Sequence, residues 1–82
     1  MVVIYSTQWC APCKIAKQLL DSKKVNYKEI DIEKENITRA KLHEITGGYT
    51  VPQIIINNNN IGGYNSLLKL EQNGELDKLL KW

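Results

Sequence analysis

The chain has 82 residues, of which 43% are hydrophobic and 24% charged, a composition that is typical of one small folded domain and excludes disordered, collagen-like and low-complexity chains. The net charge is +2 and no basic run exceeds Lys23-Lys24, so the sequence predicts no nucleic-acid partner. No apolar stretch approaches the about 18 residues of a membrane-spanning helix, and Met1–Tyr5 lacks the pattern of a signal peptide. We therefore expect one domain over residues 1–82, located in the cytoplasm, with no membrane partner.

The first predicted elements are a buried strand and an amphipathic helix. Residues 2–6 form a short β-branched run, and Thr7–Trp9 follow it as a loop. Pro12 suits the first turn of a helix, and helical spacing continues from there. The spacing predicts a core face made of Ile15, Ala16, Leu19 and Leu20, and a solvent face made of Lys14, Lys17 and Gln18.

The middle of the chain is predicted to alternate strands and a helix. Residues 25–32 favour a second strand, and residues 36–46 a helix that ends at Gly47-Gly48. Residues 54–56 favour a third strand, residues 57–60 a turn, and Ile61 the start of a return strand. The inward side chains of the second helix are predicted to be Ile37, Ala40 and Ile45.

Leucine spacing in the last part of the chain predicts two short helices separated by Asn73-Gly74. His43 is predicted to be a solvated helix residue and Trp82 a terminal packing residue. The element order is β-α-β-α-β-β-α-α, which predicts an α/β fold with a four-stranded mixed sheet flanked by helices. The first two strands should be parallel, joined by a right-handed crossover, and the last two antiparallel.

Cys10 and Cys13 are the only cysteines. A structural disulfide explains them poorly, because closing so short a loop contributes only about 2 kcal/mol. A zinc site needs four ligands, and only His43 could join the two thiolates without carboxylates, so we expect no bound metal. A Cys-x-x-Cys pair near a βαβ pattern is typical of thiol–disulfide redox chemistry.

Three separated motifs occur in order along the whole chain. Thr7–Lys14 (TQWCAPCK) follows the first strand, Tyr49–Gln53 (YTVPQ) precedes the third, and Ile61–Leu67 (IGGYNSL) follows the fourth. Together they resemble the short bacterial glutaredoxins, which are thiol–disulfide oxidoreductases of the thioredoxin fold. The resemblance implies that Cys10 is the attacking thiol, that Cys13 is the resolving thiol, and that the Val51-Pro52 bond is cis.

The resemblance also implies a groove that binds glutathione or an extended peptide. Its residues would be Gln8, Trp9, Thr50, Val51, Pro52, Gly63, Tyr64, Asn65 and Ser66. Asn65 or Ser66 is predicted to cap the following helix, whose N-terminus suits a carboxylate. Glutathione would be the reducing co-substrate rather than a permanently bound cofactor, protein disulfides would be substrates, and the protein would be a monomer.

The position of Cys10 at the start of a helix explains why it would be the nucleophile. Free backbone N–H groups and the helix dipole stabilise a thiolate there, by up to ~2 kcal/mol or about 1.4 pKa units. Lys14 is an activating candidate, because residues 1–20 contain no acidic side chain. Cys13 lies one helical turn on, where the two sulfurs can meet in an intramolecular disulfide.

Two departures from the family pattern keep alternatives open. The sequence of Trp9–Cys13 (WCAPC) is more similar to the motif of a thioredoxin. Gln8 occupies the position, two residues before the first cysteine, where the family tends to carry Lys or Arg. Both favour a redoxin that is recharged by thioredoxin reductase. An alternative of another class is a [2Fe–2S] carrier that uses Cys10 thiolates of two chains and two glutathiones, which Pro12 disfavours by stiffening the motif.

Overall fold

A computed structural model of the protein describes residues 1–80. The strands are β1 (Val2–Ser6), β2 (Tyr27–Asp31), β3 (Gln53–Ile56) and β4 (Asn59–Gly62), and the helices are α1 (Ala11–Ser22), α2 (Arg39–Thr46), α3 (Tyr64–Gln72) and α4 (Glu75–Leu80). Their order along the chain is the predicted β-α-β-α-β-β-α-α. Trp82, predicted to be a terminal packing residue, lies outside the described residues. Across residues 1–80, none of the helices has the length and apolar character needed to cross a membrane.

The four strands form one mixed sheet in the order β2-β1-β3-β4. β1 pairs in parallel with β2, and β3 runs antiparallel to both β1 and β4, as predicted. Tyr5 is opposite Gln53 in the register of β1 and β3. The loop that follows β1 therefore lies beside the loop that precedes β3, at one end of the sheet.

Helices cover both faces of the sheet, because alternate residues of β1 and β3 point to opposite sides. On one face, Val2 and Ile4 pack with buried side chains of α1, α3 and α4. On the other face, Tyr5 packs with Ile32 and with Leu42 of α2. The first cluster is the larger of the two, so α2 is attached to the sheet through a small apolar contact.

The second helix begins later than predicted, at Arg39 rather than near residue 36. The carboxylate of Asp31 accepts hydrogen bonds from the N–H groups of Glu33 and Lys34, and these bonds hold the segment after β2 in a turn. Thr38 then caps α2, its hydroxyl accepting from the Lys41 N–H. The predicted strand over 25–32 is correspondingly shorter, since its regular pairing covers only Tyr27–Asp31.

Two predicted core positions were wrong. Ile15 is 45% exposed, because the buried stripe of α1 runs through Cys13, Ala16 and Leu20 and Ile15 lies beside it. Ala40 is also exposed, and Leu42 is the fully buried apolar residue of α2. The later start of α2 explains this second error, since the helix presents the face that carries Leu42 to the sheet.

The hairpin between β3 and β4 is tighter than predicted. Asn57 and Asn58 form its whole turn, with φ of 51° and 68°, and β4 begins at Asn59 rather than Ile61. Two consecutive residues of positive φ are typical of a type I′ turn, which matches the twist of the strands it joins. The Asn57 side chain donates to the Leu79 carbonyl oxygen, which links this turn to α4.

Because Leu42 and not Ala40 is buried in α2, substitutions at the two positions should change the free energy of unfolding by different amounts. Leu42→Ala should lower the free energy of unfolding by about 2–5 kcal/mol, because it removes the main apolar contact of α2 with the sheet. The control Ala40→Gln should change it by less than about 0.5 kcal/mol, because Ala40 is exposed. Urea unfolding measures both values. Equal losses in the two variants would contradict the assigned face.

Candidate active site

Cys10 and Cys13 meet at the N-terminus of α1. Cys10 is the N-cap residue, and its Sγ accepts a hydrogen bond of 3.1 Å from the Cys13 N–H. The two residues are joined by a disulfide, with their Cα atoms 5.2 Å apart. Cys10 is 4% exposed and Cys13 is fully buried. The prediction that sulfurs at positions i and i+3 meet in an intramolecular disulfide is therefore confirmed.

The electrostatics of this helix terminus favour an anion at Cys10. The first turn of α1 contains no acidic residue, and the Cys13 N–H points at the Cys10 sulfur. A backbone donor and the positive end of the helix dipole both stabilise a thiolate at that place. Lys14 is exposed on the same turn, and its activating role stays a prediction.

The loop before β3 packs directly against the disulfide. The Val51-Pro52 peptide bond is cis, as predicted, and the Val51 carbonyl oxygen lies 3.6 Å from Cys10 Sγ. Gln53 is buried at the start of β3, and its side-chain amide donates to the Thr50 carbonyl oxygen at 2.9 Å. This hydrogen bond fixes the Thr50–Pro52 segment beside the cysteine pair.

A groove runs along this loop toward α3. It has a volume of about 370 Å³ and is lined by Pro12, Thr50, Val51, Pro52, Gly63, Tyr64, Asn65 and Ser66. Seven of the nine predicted binding residues therefore line one groove together, next to Cys10. Pro12 is an addition that the sequence reasoning used only as a helix-start signal.

The N-terminus of α3 faces this groove without a side-chain cap, so the predicted capping by Asn65 or Ser66 was wrong. The N-cap residue is Gly63, and Asn65 and Ser66 lie inside the first turn. Gly62, with a φ of 107°, turns the chain so that the helix begins directly at Tyr64. The first N–H groups of a helix have no partner within the helix, so this terminus can bind an anion.

A second concavity lies on the other side of Thr50 and Val51. Its remaining lining residues are Trp9, Arg39 and Tyr49, and its volume is about 420 Å³. Arg39 donates a hydrogen bond to the Tyr49 carbonyl oxygen at 3.2 Å. Sequence reasoning missed Arg39, although it is the single arginine in the chain.

Two exposed aromatic side chains in this concavity are held in place by neighbours. The Trp9 indole N–H donates to Glu33 Oε1 at 2.9 Å, and Trp9 is 64% exposed. The Tyr49 ring stacks on His43, with ring centroids 4.2 Å apart. His43 is exposed, as predicted for a solvated residue, but its stacking on Tyr49 was not predicted.

Gln8 is placed apart from the groove. It lines a separate concavity with Glu29, Asp31, Lys34 and Glu35, near the end of β2. A hydrogen bond from the Lys17 ammonium holds the pKa of the Glu29 carboxyl below its ordinary value. Gln8 therefore lies beside carboxylates and apart from the groove, and its role in binding stays a prediction.

Thr7, which the sequence reasoning treated only as loop, has an unusual hydroxyl. Thr7 is 3% exposed, and its Oγ1 has no hydrogen-bond partner within residues 1–80. A buried donor left unpaired costs about 1–3 kcal/mol. Thr7 lies three residues before Cys10, so the group that carries this free-energy penalty is in the active-site loop.

Among the described residues, no group of three or more His, Cys, Asp or Glu side chains is arranged to hold a metal ion. What the site does hold is a cysteine pair at a helix N-terminus, beside a cis-proline loop and on a four-stranded mixed sheet. This combination defines a thiol–disulfide oxidoreductase of the thioredoxin-like fold.

Comparison with known proteins gives the family. Residues 2–61 match the family model described as Glutaredoxin. A glutaredoxin of Pseudomonas aeruginosa is 47% identical over 79 residues, which cover 96% of this chain and 94% of the relative. Glutaredoxin 3 of Escherichia coli is 41% identical over 80 residues, which cover 98% and 96%.

Solved structures agree. The crystal structure of a buckwheat glutaredoxin–glutathione complex superposes with a TM-score of 0.88 at 30% identity, covering 96% of this chain and 74% of that one. The solution structure of a glutaredoxin from Brucella melitensis gives a TM-score of 0.84 at 41% identity, covering 98% and 87%. The chain belongs to the glutaredoxin family.

The contact between Gly48 and Gln53 predicts an energetic coupling that holds the loop. A Cβ added at Gly48 would meet the Gln53 side-chain amide, which is held by its bond to Thr50. We expect Gly48→Ala to destabilise the protein by about 1 kcal/mol through the loss of that bond. In a Gln53→Ala background the same change should cost little, giving a coupling energy of about 1 kcal/mol in a double-mutant cycle. Additive effects in urea unfolding would contradict the coupling.

Proposed function

We propose that this protein reduces disulfides through the Cys10–Cys13 dithiol and is recharged by glutathione. The observation that carries the proposal is the pair of anion sites on either side of the Thr50–Val51 edge. One is the uncapped N-terminus of α3, and the other is the guanidinium of Arg39. Glutathione carries one carboxylate at each end and its sulfur in the middle, so its chemistry matches this arrangement.

The binding mode follows from the groups that line the groove. Thr50 is exposed and Val51 half-buried, and the backbone of this segment can pair with the extended backbone of glutathione as an added strand. The γ-glutamyl carboxylate would accept from the first N–H groups of α3, and the glycyl carboxylate would pair with Arg39. This mode places the glutathione sulfur beside the Val51 carbonyl, which lies 3.6 Å from Cys10 Sγ.

The reaction is a two-step thiol exchange. The Cys10 thiolate attacks a substrate disulfide and forms a mixed disulfide, and the leaving sulfur departs as a thiolate that takes up a proton. Cys13 then loses its proton and attacks the Cys10 sulfur, which releases the reduced substrate and forms the Cys10–Cys13 disulfide. Two molecules of glutathione return the two electrons in successive exchanges and leave as glutathione disulfide. The helix terminus, and Lys14 beside it, stabilise the Cys10 thiolate when it attacks the substrate and when glutathione displaces it again.

The proposed partners follow from the same site. The protein is proposed to act as a monomer, because the groove residues of a single chain are sufficient to form both candidate anion sites. The peptide-like edge at Thr50–Val51 suits protein disulfides as well as glutathione mixed disulfides. A dithiol that glutathione must keep reduced suits the cytoplasm, where thiols are held in the reduced state.

Separate roles for the two cysteines predict different losses on mutation. Cys10→Ser should abolish all disulfide reduction, because no other thiolate can attack. Cys13→Ser should retain reduction of glutathione mixed disulfides, because that route needs only the attacking thiol, and should lose reduction of protein disulfides. Steady-state assays on one substrate of each kind measure this. Equal loss in both variants would remove the assigned roles.

The reductant is identified by a coupled assay with two arms. In one arm NADPH oxidation is followed with glutathione and glutathione reductase, and in the other with thioredoxin reductase alone. The proposal expects turnover in the first arm. Turnover only in the second would overturn the glutathione proposal and favour the reductase-linked alternative, to which the thioredoxin-like Trp9–Cys13 stretch points.

The proposed role of Arg39 predicts a weaker affinity when its charge is removed. Arg39→Gln should raise the KM for a glutathionylated substrate by up to about fivefold, since an exposed ion pair contributes about 0.2–1 kcal/mol. The effect should shrink with added salt, because exposed charges are screened. The control Lys41→Gln removes a charge from the same helix outside the concavity and should leave KM unchanged. An equal effect of both variants would show a general charge effect rather than a binding site.

A further inference from the structure

We propose that Thr7 is a positioning residue whose hydroxyl donates a hydrogen bond to the Cys10 thiolate once the disulfide is reduced. The inference rests on the proposed role of Cys10 as the attacking thiol. It gives a function to a side chain that neither the groove nor the fold uses.

The first observation is that Thr7 differs from its buried polar neighbours. Four polar side chains are buried in the described part of the chain: Ser6, Thr7, Thr46 and Gln53. Ser6 donates to Glu29, Thr46 to the Leu42 carbonyl and Gln53 to the Thr50 carbonyl. Only the Thr7 hydroxyl, within residues 1–80, lacks a partner. The fold therefore satisfies its buried polar groups except at the residue nearest the cysteine motif.

The second observation is the position of Thr7 relative to Cys10. The two residues are the first and last of a turn whose central residues are Gln8 and Trp9. The ends of such a turn have Cα atoms within about 7 Å of each other. Both side chains are buried, with exposures of 3% and 4%. A threonine hydroxyl at that separation can reach a cysteine sulfur by rotation about its side-chain bonds.

The redox state decides whether an acceptor exists. In the disulfide, Cys10 Sγ is a weak neutral acceptor that already receives the Cys13 N–H. When a dithiol reductant supplies two electrons, the S–S bond breaks, Cys10 becomes a thiolate and Cys13 takes up a proton. The thiolate is an anion and accepts hydrogen bonds far more strongly than a disulfide sulfur.

The consequence is a more acidic Cys10. A hydrogen bond to the charged form of a group lowers the pKa of that group. The charged side chains around the motif lie on three elements and in the loop after β2: Lys14 and Lys17 on α1, Glu29 and Asp31 on β2, Arg39 on α2, and Glu33, Lys34 and Glu35 in the loop. Changing Thr7 leaves all of them in place, so the contribution of the hydroxyl can be measured by itself.

The test measures the pKa of Cys10 in reduced Cys13→Ser protein, which has a single thiol. The rate of alkylation by iodoacetamide is followed against pH, together with thiolate absorbance. Thr7→Val, which removes the hydroxyl at constant shape, should raise the pKa of Cys10 by about one unit. Thr7→Ser, which keeps the hydroxyl, should restore the original pKa. The control Thr46→Val removes another buried hydroxyl and should leave the pKa of Cys10 unchanged.

Thermal unfolding of the oxidised protein, with both cysteines present, separates this role from a structural one. Thr7→Val should unfold at the same or a higher temperature, because it removes an unpaired buried group, whereas Thr46→Val should unfold at a lower one. An unchanged pKa of Cys10 in Thr7→Val, or a lower unfolding temperature of its oxidised form, overturns the inference. Thr7→Ala provides the same pKa comparison where the valine variant does not fold. Because these readouts do not involve glutathione, an unchanged pKa beside normal glutathione-dependent turnover overturns only the role of Thr7.

Discussion

The hydrogen bond from the Cys13 N–H to Cys10 Sγ is the interaction on which the site depends. An N-cap side chain folds back over the first turn of its own helix, so the sulfur is placed at the positive end of the α1 dipole. The same position brings it to 3.6 Å from the Val51 carbonyl oxygen. One backbone geometry thus places Cys10 Sγ where a thiolate is stabilised, sets Cys13 within bonding distance and brings the Thr50–Pro52 segment alongside.

The sheet brings the second loop of the site, the segment before β3, to the cysteine pair at the N-terminus of α1. Because β3 runs antiparallel to β1, with Tyr5 opposite Gln53, the segment before β3 must emerge where β1 ends. The Gln53 side chain then holds Thr50 by its carbonyl oxygen. The two loops of the site are about 40 residues apart in sequence, and only this strand order, in which β1 lies between β2 and β3, brings them together.

The local sequence pattern predicted helix boundaries correctly where a proline or glycine determines the backbone conformation. It failed to predict the buried face and the cap of a helix where contacts in the folded chain determine them. Pro12 correctly indicated the start of α1, and Gly47, with φ of 85°, ends α2 where predicted. The predicted inner face of α2 was set by the spacing of Ile37 and Ala40, but Ile37 lies before the helix, and only the packing of the folded chain shows that Leu42 faces the sheet. The cap of α3 was misassigned for a related reason: Asn65 and Ser66 suit an N-cap, but the preceding glycines start the helix before them. The position of Arg39 beside Thr50 and Val51 had no local signal, because it depends on residues that are distant in sequence. The unpaired hydroxyl of Thr7 had none either, because a missing partner becomes visible only in the folded chain.

The charges around Cys10 are asymmetric: one side of the site carries an excess of negative charge and the other carries positive potential. On the side of Gln8, the carboxylates of Glu29, Asp31 and Glu35 outnumber the ammonium groups of Lys34 and of Lys17, which pairs with Glu29. On the side of Thr50 and Val51, the guanidinium of Arg39 and the N-terminus of α3 present positive potential. In the proposed reaction with glutathione, this asymmetry would favour approach of the anionic thiol along the second side, where the Val51 carbonyl oxygen lies 3.6 Å from Cys10 Sγ. A cation carried by Arg39 thereby supplies, from α2, the positive charge that the residues just before Cys10 lack.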